Sequence, residues 1–253
     1  MPVTRSFIIP VLDNSPHSSY NINTLLDDLT DIPGEVICII NNTQMFTELK
    51  DHPRVDKYCL NSHNPGVSRS WNMGINMSEG DYLYILNADL HVGEAGINKL
   101  EMNLELLHNA VIVGPEGSDL KFIDEALSVL NHYKKGTLGM PEQTDNVSGF
   151  YMAIHAKRFH QAGLQFDSQF TPCFMEEWDI GFQVRQAGLS CYVVPLDDYD
   201  HQWGISLDRG QSIQYFNSHG NRTEILNDNA LRLRDKWFDA LIVNPDSLLH
   251  NNP

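Results

Sequence analysis

Gly80-Asp81-Tyr82-Leu83-Tyr84-Ile85-Leu86-Asn87-Ala88-Asp89 decides how this chain is built. Five strand-forming residues, Tyr82 to Leu86, stop abruptly at the acidic tip Asn87-Ala88-Asp89. An apolar and aromatic run bounded by turn formers predicts a buried strand. A carboxylate at the carboxyl end of such a strand lies where open α/β sheets bind ligands. Hard divalent cations take oxygen ligands, and a nucleotide diphosphate supplies several. Asp89 is therefore a candidate metal ligand at a nucleotide site. The alternative is a strand-end Asp that caps the following loop.

Upstream, Phe7 to Leu12 predicts a first buried strand and Val36 to Ile40 a second, ending in Asn41-Asn42-Thr43. Between them Ile22, Leu25, Leu26 and Leu29 have helical spacing within Tyr20 to Leu29, closed by Pro33-Gly34. Strand, helix, strand at this spacing is a βαβ unit, and consecutive buried strands imply a parallel sheet. Asn64-Pro65-Gly66 opens a loop before a helix over Ser68 to Met77. Downstream, helices are predicted over Ile97 to Leu107, Ala156 to Ala162 and Glu176 to Ala187. Strands are predicted at Val111 to Pro115, at Ser148 to Ile154 and, last, at Cys191 to Pro195. Residues 116 to 145 read as irregular, with a helix around Ile123 to Leu130. Beyond Gln211 the chain reads as helical, most strongly over Ile225 to Leu241.

The chain has 253 residues, 42% of them hydrophobic, enough for a sizeable core. Its 17 basic and 33 acidic residues give a net charge of -16, which disfavours extended contact with phosphate backbones. No apolar run approaches membrane-spanning length, and no basic segment followed by an apolar run marks a secretory signal. Cys38, Cys59, Cys173 and Cys191 are scattered without a CxxC pair. Cys38 and Cys191 sit in apolar runs as buried free thiols, so a cytoplasmic, reduced protein is expected. A location against the inner face of a membrane, or in a host cytoplasm if the protein is viral, fits as well.

A second acidic cluster, Glu176-Glu177-Trp178-Asp179, opens a helix after an aromatic loop. The macrodipole favours carboxylates there for structural reasons alone. One acid can equally act as general base while its neighbours orient it. A third signal, Asp200-His201-Gln202-Trp203-Gly204, follows a strand, and its His gains weight if it meets Asp89 in space.

Taken in order, these features resemble the family 2 glycosyltransferases of GT-A fold, especially the rhamnosyltransferase-like branch. The features are Ile9-Pro10-Val11, Asn41-Asn42, Asn64-x-Gly66 with Asn72-x-Gly74, Leu86-Asn87-Ala88-Asp89, Ser148-Gly149-Phe150, Glu176-Glu177-x-Asp179 and His201. The resemblance covers residues 7 to about 204. It implies an α/β, Rossmann-like mixed, mainly parallel sheet flanked by helices, with a C-terminal helical segment. It implies one domain over residues 1–253, divided into a nucleotide-sugar half (1–115), an acceptor and catalytic half (116–210) and a helical extension (211–253).

By resemblance, Asn87-Ala88-Asp89 stands for the family's DxD motif, and Asp89 holds Mn²⁺ or Mg²⁺ with His201 completing the site. Pro10, Val11, Asp13 and Asn41 fall where the nucleoside binds, and Asn64, Gly66, Arg69 and Asn72 near the rest of the donor. Glu177 takes the place of the general base, beside Glu176 and Asp179. Gly149, Phe150, Trp178 and Trp203 are candidate acceptor contacts, although the aromatics suit a core equally. The implied reaction is inverting, metal-dependent transfer from a UDP- or dTDP-type sugar to a hydroxyl, with a saccharide acceptor favoured and modified phage DNA the alternative. Two other classes compete. A nucleotidyltransferase would carry a Gly- and basic-rich loop where this chain has Leu12-Asp13-Asn14-Ser15-Pro16. An inactive carbohydrate-binding relative would have no need of Asp89, Glu177 and His201 together. Donor sugar, linkage and oligomeric state are not encoded in these motifs.

Overall fold

In a computed structural model that describes residues 5–13, 19–123, 126–201 and 212–240, the amino-terminal half alternates strand and helix. It runs β1 (Arg5–Val11), α1 (Ile22–Asp28), β2 (Glu35–Ile40), α2 (Thr43–Leu49), β3 (Lys57–Leu60), α3 (Val67–Met77) and β4 (Tyr82–Leu86). Next come β5 (Leu90–Val92), α4 (Glu94–Leu106), β6 (Ala110–Gly114), β7 (Gly117–Ile123), β8 (Ala126–Tyr133), β9 (Glu142–Thr144) and β10 (Asn146–Val147). The remainder is β11 (Tyr151–His155), α5 (Ala156–Gln161), α6 (Glu176–Gln186), β12 (Ser190–Val193), β13 (Tyr199–His201), β14 (Ser212–Tyr215), β15 (Ser218–Asn221) and α7 (Arg222–Phe238).

Among the described residues, eight strands form the main sheet in the order β3-β2-β1-β4-β11-β6-β12-β9. The β3-β2-β1-β4 half is parallel, β11 returns antiparallel between β4 and β6, and β12 runs parallel to β6. Strand β4 is buried throughout because both faces of the sheet are covered. Phe7, Ile9, Tyr84 and Leu86 pack with α1 and α4 on one side. Ile8, Leu83 and Ile85 pack with α3, α5 and α6 on the other. The period-2 alternation of each strand thus feeds two cores at once. The carboxyl ends of β1, β2 and β4 open on the same edge, which is where the candidate site lies.

Several expectations are corrected. Residues 117–123 and 126–133 are antiparallel strands, not an irregular stretch with a helix. The apolar spacing around Ile123 to Leu130 fits either period, and pairing of β8 along β7 decides it. Strand β12 is not the last, since β13 pairs with β5 and a hairpin of β14 and β15 precedes α7. Helix α2 and edge strand β3 carry little apolar signal and were not anticipated. In β3 burial alternates between half-buried and exposed residues, the pattern of a strand with one neighbour. The cysteines are free as expected, and burial pushes the Cys38 and Cys191 thiols up to about 12.

Candidate active site

A cavity of about 210 Å³ sits at the carboxyl edge of the parallel half. Of the residues expected at the nucleotide-sugar site, it brings together Pro10, Asp13, Asn41, Asn64, Gly66, Asn87, Ala88 and Asp89. Asn41 is fixed by its neighbours. Its Nδ2 donates to Ser70 Oγ at 3.0 Å, Ser70 Oγ donates to Gly66 O at 2.9 Å, and Asn61 Nδ2 donates to Asn41 Oδ1 at 2.9 Å. Gly66 caps α3 at φ 88, where a side chain would press on Pro172.

Three expected donor-site residues do not line the cavity. Val11 is fully buried in the core beneath it. Asn72 closes a two-bond pair with the backbone of Phe166, donating to its carbonyl at 2.7 Å and accepting from its N–H at 3.2 Å. Arg69 donates to Thr171 Oγ1 and to Pro65 O, with its guanidinium 5.2 Å from the Phe216 ring centroid. It ties the Asn64-Pro65-Gly66 loop to its surroundings. Conversely, Ser70, Pro172, Cys173 and Ile213 line the cavity and were not anticipated. Ser70 had a usable signal, one helical turn after Gly66; Ile213 arrives on the β14–β15 hairpin, and nothing local foretells it.

The acidic tip and His201 meet. Strand β13 pairs with β5 so that His201 lies opposite Leu90, next to Asp89. His201 Nε2 is 3.4 Å from Asp89 Oδ1 and 3.4 Å from Asn87 Nδ2. The Asp89 and His201 side chains are each 6% exposed. Phe150 lies flat on the imidazole, centroids 4.4 Å apart and planes 4° apart, which sets the ring plane. Among the described residues no three His, Cys, Asp or Glu side chains gather as a metal group. Asp89 and His201 together fit a divalent ion that shares its remaining positions with a ligand, since Mg²⁺-type sites use one or two carboxylates plus phosphate oxygens.

The second acidic cluster divides into three roles. Glu177 Oε1 accepts from Gly149 N at 3.2 Å, and burial raises its pKa above the ordinary 4.5 against the pull of backbone donors. Burial, then the Glu177 charge, holds Glu176 well above the ordinary value, and its Oε2 has no hydrogen-bond partner among the described residues. Desolvation outweighs the backbone hydrogen bonds at both positions. Asp179, expected beside the base, is instead a docking residue. It is fully buried, accepts from Trp237 Nε1 at 2.7 Å and from Gln183 Nε2 at 2.7 Å, and pairs with Lys236 at 2.7 Å.

Gly149 joins the two halves of the site. A side chain there would press on the buried Trp71 ring and lie 3.0 Å from Glu177 Oε1. The next residue is Phe150, whose carbonyl accepts from Asn87 N at 2.9 Å. Trp178 lines a separate apolar cleft with Leu127 and Leu231, beside β8 and α7. Trp203 lies outside the described residues.

No protein-family model matches the sequence, and no curated protein matches it. Solved structures do match in three dimensions. A structure of GalNAc-T7 with UDP, GalNAc and Mn²⁺ superposes with a TM-score of 0.67 at 14% identity, over 97% of this chain and 51% of that one. Residues 1–349 of S. aureus TarS with UDP-GlcNAc give 0.53 at 12% identity, over 81% of this chain and 61% of that one. The same TarS segment with UDP gives 0.52 at 13% identity, over 78% and 60%. This chain spans between half and two thirds of the length of these neighbours. At such identities the likeness speaks for architecture alone, and the architecture is the GT-A fold.

Proposed function

We propose that this protein transfers a sugar from a nucleoside-diphosphate sugar to a hydroxyl acceptor with inversion at the anomeric carbon. One observation carries the reading. Glu177 is hydrogen-bonded to Gly149, and the adjacent Phe150 stacks on His201, which faces Asp89. A proton acceptor and a metal-ligand pair are therefore tied together by one short stretch of chain, and Asp89 of that pair lines the cavity. That neighbouring folds were crystallised with UDP, UDP-GlcNAc or Mn²⁺ favours a UDP-type donor. Assignment to family 2 and its rhamnosyltransferase-like branch rests on the ordered motifs alone.

Asp89 and His201 would hold Mn²⁺ or Mg²⁺, with Asn87 beside them. A cation held there would supply positive charge against the negative charge developing on the departing diphosphate. Pro10, Asp13 and Asn41 would bind the nucleoside, and Asn64 and Gly66 would border the diphosphate. Glu177 accepts the acceptor hydroxyl's proton as that oxygen bonds to the anomeric carbon and the bond to the diphosphate breaks. Attack from the face opposite the leaving group inverts the centre. Gly149 and Phe150 would lie nearest the acceptor through their contacts with Glu177 and His201, while Trp178 lines a neighbouring cleft.

A saccharide acceptor is favoured over modified DNA. Lys236 pairs with Asp167 and Asp179, Arg232 donates to Gln169 O and Asn229, and Lys135 donates to Tyr199 O. These cations are committed within the chain, whereas DNA affinity comes from cations offered to phosphates. No helix among the described residues is long and apolar enough to cross a membrane. The decisive experiment is release of the nucleoside diphosphate, UDP or dTDP, from a panel of UDP- and dTDP-sugars in Mn²⁺, with a matching thermal shift by the free nucleotides. Absence of both would sink the proposal. Sugar transfer onto DNA bases would overturn only the choice of acceptor.

A further inference from the structure

Helix α7 lies beyond the stretch the motifs cover, yet it holds the segment that leads into the candidate base. Asn229 on α7 is fully buried. Its Nδ2 donates to Cys173 O at 2.8 Å and to Phe174 O at 3.3 Å. Its Oδ1 accepts from Arg232 Nη1 at 2.8 Å, and the same guanidinium nitrogen donates to Gln169 O at 3.1 Å. Arg232 offers only donors, so it fixes which end of the Asn229 amide faces the loop.

The backbone that receives those bonds is unusual. Phe174 and Met175 are consecutive non-glycine residues at φ 75 and φ 76, in the left-handed region. Residues persist there when their surroundings over-determine them. Met175 is the N-cap of α6 and has no side-chain capping bond. The Phe174 ring lies 5.5 Å from the Arg222 guanidinium, and Met175 packs against the cluster containing Leu233 and Trp237. Glu176 and Glu177 follow immediately. Two residues beyond Glu177, Asp179 is gripped by Trp237 and Lys236 of the same helix. The first turn of α6 is thus pinned from α7 on both sides of Glu177.

We propose that Asn229 is a positioning residue for the reaction: by satisfying the Cys173 and Phe174 carbonyls it holds the left-handed turn that aims Glu177 at Gly149. This rests on the reading of Glu177 as the base. A buried asparagine costs desolvation that an apolar residue of similar size would avoid. What the amide adds is direction, because its donors select one path for the loop.

The test uses the full chain, a panel of UDP- and dTDP-sugars with Mn²⁺, and release of the nucleoside diphosphate (UDP or dTDP) as the readout. Asn229→Ala should lower kcat about tenfold or more, with a smaller effect on KM for the donor, as expected when a reacting group is misplaced more than the binding site is. Arg232→Ala should act in the same direction more weakly; being a surface change, it serves if Asn229→Ala does not fold. In a Glu177→Gln background the Asn229 change should cost little more, because both act through one group. Exchange of the Gly149 amide proton, which reports the Glu177 contact directly, should quicken in the Asn229 and Arg232 variants. An equal loss in the Glu177→Gln background, a rise in KM with kcat unchanged, or an unaltered Gly149 amide would each overturn the proposal. If no sugar nucleotide yields its nucleoside diphosphate, the enzymatic reading fails separately, and Gly149 exchange alone decides whether Asn229 sets the position of Glu177.

Discussion

Two carboxylates one residue apart, Glu176 and Glu177, show how environment assigns work to like residues. Burial raises both pKa values, so each favours its neutral form more than a solvated glutamate does. For a base the neutral form is inactive. Turnover should therefore climb as pH rises through a window above 4.5, and a kcat profile flat down to 4.5 would remove Glu177 from the role. Glu177→Gln should lower kcat by about 10²-fold with donor affinity retained. Glu176 answers a different question. Its folded form keeps a proton that the unfolded chain releases above 4.5, so stability is complete below that value and declines as pH rises toward the raised one. Glu176→Gln should therefore melt higher than the parent at pH 8, with the gap closing near pH 4. An equal melting temperature at both pH values would contradict the burial argument. Asp89→Ala should weaken Mn²⁺-dependent UDP binding by at least about tenfold while leaving the fold intact, as isothermal titration can measure.

At the level of elements, the site is an agreement between separate pieces: the ends of β1, β2 and β4, the ribbon of β5 and β13, the entry to β11 and the first turn of α6. Gly149 is their tightest junction. Gly149→Ala should destabilise the chain by about 1–3 kcal/mol in urea titrations, because the Trp71 ring it presses on is itself buried. It should lower kcat as well by displacing Glu177. Much of this layout was legible beforehand, since strand β4 and its acidic tip announce themselves by composition and an abrupt turn. The meeting of His201 with Asp89 was legible only as a possibility, because pairing of β13 with β5 is a long-range event. The partners of Asp179 were not legible for a simple reason. Three carboxylates in one helical turn look alike in sequence, and only the arrival of Trp237 and Lys236 from α7 distinguishes one as a docking group. Strand β8 was misread because a short apolar run does not choose its own period; its neighbour β7 chooses it.

For the whole molecule, the parallel half supplies most of the cavity lining, while α6 and the entry to β11 supply Glu177 and Gly149, the proposed proton acceptor and its partner. The connection between them, β7 with β8, has a consequence of a colloidal kind. That pair carries Ile123, Val129 and Leu130 to the surface, between 45% and 52% exposed. Each molecule also bears a charge of -16, so in dilute buffer copies repel one another before such faces can touch. Salt shortens the reach of that repulsion to about 8 Å at 0.15 M and about 3 Å at 1 M, whereas it does not weaken apolar contact. The osmotic second virial coefficient, measured by static light scattering, should pass from positive at low ionic strength to negative at high, and Val129→Lys with Leu130→Glu should hold it positive. A coefficient that stays negative in the double variant would place the sticky surface elsewhere. Purification at moderate rather than high salt, and storage away from acid where the carboxylates lose their charge, follow from the same balance.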